Sequence, residues 1–63
     1  MREQKSHYFK IFDPAKHITI YYCERYHDIG FIPKDKCWDE DLVYVKQGNL
    51  KYVFKKGNWE VVM

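Results

Sequence analysis

Two Gly-Asn dipeptides set the tightest limit on what this chain can fold into. Gly48-Asn49 and Gly57-Asn58 each interrupt runs rich in Val, Leu, Tyr, Phe and Trp, and each ends a Lys-x-Gly-Asn pattern, at 46–49 and 55–58. Gly and Asn accept the positive φ that tight hairpin loops demand. The flanking runs alternate apolar with polar side chains, which is strand periodicity. Leu42 to Gln47, Leu50 to Lys55 and Trp59 to Val62 therefore read as three antiparallel strands. With each Gly-Asn pair as the loop, Val45 faces Tyr52, Val43 faces Phe54, and Phe54 faces Val61. One face then carries Val43, Val45, Leu50, Tyr52, Phe54, Trp59 and Val61, and is the core face. The other carries Tyr44, Val53 and Val62 among Lys46, Lys51, Lys55 and Glu60, which is more apolar than a solvated face should be. Either the N-terminal hairpin or the 24–41 segment covers it, closing a small barrel, or it is an exposed, lysine-rimmed partner surface.

The first third predicts a second hairpin. Tyr8-Phe9-Lys10-Ile11-Phe12 and His17-Ile18-Thr19-Ile20-Tyr21-Tyr22-Cys23 are aromatic and β-branched, with Ile18, Ile20 and Tyr22 on one face. Asp13-Pro14 between them suits a type I turn, because proline's fixed φ matches its second position. Residues 24–30 either continue the second strand or leave it, and Phe31-Ile32 is a short apolar pair stopped by Pro33. Residues 34–41 are read as a loop with a helical turn at 38–41, and residues 1–6 as a polar, frayed end.

A chain of 63 residues is one domain and buries only about 60% of its unfolded surface. Twelve aromatic residues (six Tyr, four Phe, two Trp) compensate with large buried area per side chain. The charged fraction of 32% and the lack of a long apolar run argue against a membrane protein. The polar N-terminus has no signal-peptide pattern, so a cytoplasmic location is expected and Cys23 and Cys37 are read as free thiols. Lys, Ile, Tyr and Phe are abundant, a usage that accompanies AT-rich genomes; small frames of this kind are common in phages and mobile elements.

The chemistry-bearing residues do not form a known motif. His17, Cys23, His27 and Cys37 are zinc-ligand types, but no C-x-x-C knuckle is present, and His17 and Cys23 sit at opposite ends of one strand run, roughly 20 Å apart. Cys23 with His27, or Cys37 with His27 and Asp28, lacks any surrounding nucleophile elbow, phosphate loop or hydrolase signature. No metal, no cofactor and no enzymatic activity are expected. Trp38 stands among Asp35, Asp39, Glu40 and Asp41. It is read either as a lid folded back over the core or as a binding anchor, since Trp is enriched at interface hot spots.

The expected architecture is all-β: a small antiparallel meander of about five strands, curled toward a closed barrel that resembles SH3-like barrels in pattern alone. The expected function is protein binding, as a regulator or inhibitor of a larger partner. Tyr44, Val53 and Val62 form its centre, Lys46, Lys51 and Lys55 its rim, and Trp38 a second anchor. The alternatives are a nucleic-acid-binding β module using the same lysines, with Tyr44 stacking on a base, and a homo-oligomeric structural component. A net charge of +2 and only two arginines weaken the nucleic-acid reading.

Overall fold

The computed structural model describes residues 7–62; the reading of residues 1–6 as frayed lies outside them. Five strands form one sheet in chain order: β1 (Tyr8–Asp13), β2 (Ile18–Cys23), β3 (Leu42–Val45), β4 (Leu50–Lys55) and β5 (Asn58–Val61). The protein is a small all-β meander. The sheet is not closed into a barrel, because β1 and β5 stand at opposite edges.

The local signals act as their chemistry requires. At the β1–β2 turn, Asp13 Oδ1 accepts the Ala15 N–H at 3.0 Å, Pro14 supplies its fixed φ, and His17 ends the loop at φ 56°. The two Gly-Asn loops form with their registers moved by two residues. Val45 pairs with Leu50, not Tyr52, and Phe54 pairs with Trp59, not Val61. In the first loop, the Lys46 and Gln47 N–H groups both donate to β2 and its continuation, at the Cys23 and Glu24 carbonyls (2.9 Å each). Gln47 thus leaves the β3–β4 ladder, and residues 46–49 become the loop. In the second, Lys56 (φ 51°) and Gly57 (φ 81°) are the turn residues, as a type I′ turn needs, and Asn58 joins β5. This places Trp59 against Phe54 (ring centroids 4.9 Å apart) and Tyr21 (6.1 Å). A shift of two keeps every side chain on its face, so the face assignment of residues 42–62 stands although the pairs differ. Leu50 and Val61, expected in the core, lie at the ends of that face and are exposed because the crossover does not reach them.

One pairing departs from the antiparallel expectation: β2 and β3 are parallel, with Tyr21 beside Val43 and Cys23 beside Val45. Parallel neighbours need a crossover rather than a hairpin, and residues 24–41 supply it. They are not a plain loop. A 3-10 helix, Tyr26–Phe31, places Ile29 three residues before Ile32, so both point the same way. Pro33 then holds Ile32 extended (φ −81°, ψ 122°) and stops the helix. A second 3-10 turn, Lys34–Lys36, follows. Residues 38–41 form no helix but a turn, closed by the Asp41 N–H on the Trp38 carbonyl at 3.1 Å. Ile29 and Ile32 are buried against Tyr21, Cys23, Val43 and Val45, with Tyr8, Cys37, Tyr52 and Trp59 packed around them. The crossover is the second layer of the core.

The acidic stretch beside Trp38 anchors that layer. Asp41, 1% exposed, accepts the Thr19 N–H of β2 on Oδ1 and the Trp38 N–H on Oδ2, each at 3.0 Å. Asp39 Oδ1 accepts the Lys56 N–H, and Glu40 Oε2 lies 3.1 Å from Lys55 Nζ. The three carboxylates thus tie the end of the crossover to β2 and to the β4–β5 hairpin. The Trp38 ring does not fold back as a lid; it is 76% exposed.

Candidate sheet-face binding surface

Because the crossover covers one face, the other lies open, and the N-terminal hairpin widens it instead of covering it. Register alone builds the surface. Phe9, Tyr22, Tyr44 and Lys51 are consecutive cross-strand partners over four strands, and the Val62 N–H on the Lys51 carbonyl at 2.7 Å continues the row. Beside it run Ile11, Ile20, Leu42, Val53 and Glu60 over all five strands. The first row is aromatic. Phe9 stacks on Tyr22 (centroids 5.1 Å, planes 15° apart), Tyr22 meets Tyr44 edge-on (5.4 Å), and Lys51 Nζ lies 5.7 Å from the Tyr44 ring centre. The second row is aliphatic. At the β1 side both rows are open to solvent, Phe9 being 60% and Ile11 51% exposed.

The aromatic row lines a groove of about 720 Å³, whose walls include Phe9, Tyr22, Tyr44, Lys46 and Lys51. Lys46 Nζ is 4.0 Å from Glu24 Oε2, with both side chains largely exposed, so that pair contributes little. Lys55 is held by Glu40, whose hydrogen bond and charge raise its ammonium above the ordinary value.

The expected centre is partly regrouped. Tyr44 and Val62 flank Lys51 in one row, whereas Val53 belongs to the next, between Leu42 and Glu60. Trp38 precedes β3, at the opposite end of that strand from Lys46, and is not part of the groove. Phe9, Ile11, Ile20, Tyr22 and Leu42 were missed as site residues. The alternation of Ile18, Ile20 and Tyr22 in β2 was the available signal, but which face of β3 it would join depended on the parallel pairing.

The thiols face the core side. Burial pushes the Cys23 thiol up to about 11, with a smaller contribution from Asp28. Burial also raises Cys37, whose Sγ lies 3.4 Å from the Pro33 carbonyl and 3.9 Å from the Tyr21 hydroxyl. Among the described residues no three His, Cys, Asp or Glu side chains converge as metal ligands would. The raised Cys23 thiol carries a stability prediction. Below pH 9 both folded and unfolded chains keep this proton. Between 9 and 11 the unfolded chain releases it while the folded chain holds it, so stability falls as pH rises. The loss from this group is on the order of 2 kcal/mol. Because Cys37 is raised as well, urea unfolding at pH 8 and pH 10.5 is compared between wild type and Cys23→Ala; a pH dependence unchanged by the substitution would place Cys23 in water.

No protein-family model, no curated protein and no solved structure matches this chain.

Proposed function

We propose that this protein is a non-catalytic protein-binding module, a small regulator or inhibitor of a larger partner, and that the partner docks on the open face. The observation that carries this is an aliphatic row over four strands beside an aromatic row over three, with no covering layer among the described residues. An exposed apolar sheet face of that breadth marks an interaction surface. The aromatic row offers rigid anchors, and Lys46 and Lys51 supply a polar rim.

A nucleic-acid partner fits less well. The aliphatic row has no ring on which a base could stack, and the rings of the other row already pack on one another. Two of the three rim lysines lie beside carboxylates of the chain itself.

The test is partner capture by wild-type protein and two variants. Tyr44→Ala removes the centre of the aromatic row and should weaken binding by about 2 kcal/mol or more. Lys51→Ala, at the rim, should lose less than about 1 kcal/mol. Circular dichroism establishes that both fold. Equal, salt-sensitive losses at each lysine with Tyr44 neutral would point to a phosphate-bearing partner instead. A mass that grows with concentration and falls back in Tyr44→Ala would point to self-association through the face.

A further inference from the structure

The edge beside this face has hydrogen-bonding groups left over, and the register identifies them. Along a strand, successive residues turn their N–H and C=O groups to opposite neighbours. The Cys23 carbonyl accepts from Lys46 beyond β3, and the Thr19 N–H donates to Asp41 before it. Thr19, Tyr21 and Cys23 therefore address β3, and Ile18, Ile20 and Tyr22 address β1. Their partners Phe9, Ile11 and Asp13 make the β1–β2 bonds. By this register Tyr8, Lys10 and Phe12 are left with peptide groups pointing out of the sheet, and no turn, loop or cap backbone bond of a described residue reaches them.

An unpaired edge is a template for another strand, and sheet proteins blunt it with short strands, proline or charge. The opposite edge, β5, has four residues. β1 has six, with neither Pro nor Gly, and its one charge before the terminal Asp13 is Lys10. Phe9 and Ile11, which begin both rows of the open face, lie on this edge strand.

We propose that β1 accepts an added strand from the partner. The occupant is an extended segment with apolar side chains opposite Phe9 and Ile11 and a carboxylate opposite Lys10. Its backbone satisfies the outward groups of Tyr8, Lys10 and Phe12, its apolar side chains lengthen the two rows, and its carboxylate neutralises the lysine. A second copy of β1 is a poorer occupant. The two-fold antiparallel register that uses all three outward residues sets Lys10 against its own copy, and like charges directly opposite repel. The proposal rests on the reading of the face as the partner surface, and adds how the partner's backbone is held.

The probe is a synthetic peptide, Thr-Val-Glu-Val-Thr, capped at both ends, titrated to millimolar concentration and followed by NMR. The Lys10 and Phe12 amides should shift saturably, and their hydrogen exchange should slow about fivefold as the site fills. Replacing the peptide's Glu by Lys should weaken binding about fivefold. N-methylation of its alternate amides should abolish binding. In the protein, Lys10→Pro removes an outward N–H without touching the ladder to β2, and should also abolish binding. Absence of saturable shifts, equal binding by the N-methylated peptide, or binding unaffected by Lys10→Pro would each overturn the proposal. Shifts confined to Tyr22, Tyr44 and Val53 would overturn the edge while sparing the face. Growth of mass with concentration that Lys10→Pro abolishes would replace the partner strand with a second copy.

Discussion

Phe54→Ala is expected to abolish the folded state at ambient temperature. Phe54 is 4% exposed, at the penultimate position of β4, with strands on both sides. Its ring packs 4.9 Å from Trp59, and through Trp59 it supports Tyr21. Its N–H and C=O close the ladder past Leu42, donating to the Asp41 carbonyl (2.8 Å) and accepting from Glu40 (2.9 Å). Those backbone bonds survive truncation, so the loss is the burial of the ring plus the void it leaves, about 3–5 kcal/mol. A domain this small sits at the low end of the 5–15 kcal/mol range, with little to spare. Thermal melting by circular dichroism reads the outcome. A variant melting within a few degrees of wild type would mean that the ring contributes no packing. Phe54→Leu, which keeps most of the volume, should retain the fold with a lowered midpoint.

Asp41→Ala should be the second most damaging substitution, although it removes no apolar surface. The carboxylate is buried and accepts two backbone N–H groups from different parts of the chain, Thr19 at the start of β2 and Trp38 at the end of the crossover. Alanine leaves both donors without a partner, at about 1–3 kcal/mol for each one that stays buried. It also unties the crossover from the sheet whose core face it covers. We expect a total loss of about 3 kcal/mol, measured by urea unfolding. Asp41→Asn separates the two roles. Its amide keeps one acceptor oxygen and places an N–H₂ against the other donor, so it should recover only part of the loss. Equal stability of wild type and Asp41→Ala would mean that water replaces the carboxylate at both donors.

The same two residues show where the sequence was informative. Phe54 was legible as core because alternation in a strand is a local property, and the Gly-Asn loops tied three such strands together. The registers were off by two residues, yet the faces survived, because side chains repeat every two. The open face was legible in part for the same reason: Tyr44, Val53 and Val62 fall on the polar side of an alternation and are not polar. Asp41 was not legible. In the sequence it is one of four acidic residues around Trp38, and nothing local distinguishes the buried carboxylate from the exposed ones.

Strand identity, the presence of a tight loop near each Gly-Asn pair and the two faces of residues 42–62 thus followed from the sequence by itself, since each depends on neighbours within a few residues. Which residues turn, 46–49 and Lys56-Gly57, did not. Tertiary structure alone decided that β2 lies parallel beside β3, that residues 24–41 cross over the Val43–Val45 face, and that Phe9, Ile11, Ile20, Tyr22 and Leu42 join Tyr44 and Val53 on the uncovered one. Those outcomes hang on which of two apolar faces takes Ile29 and Ile32. Long-range burial settles that choice, through contacts between residues far apart in the chain that no local pattern encodes.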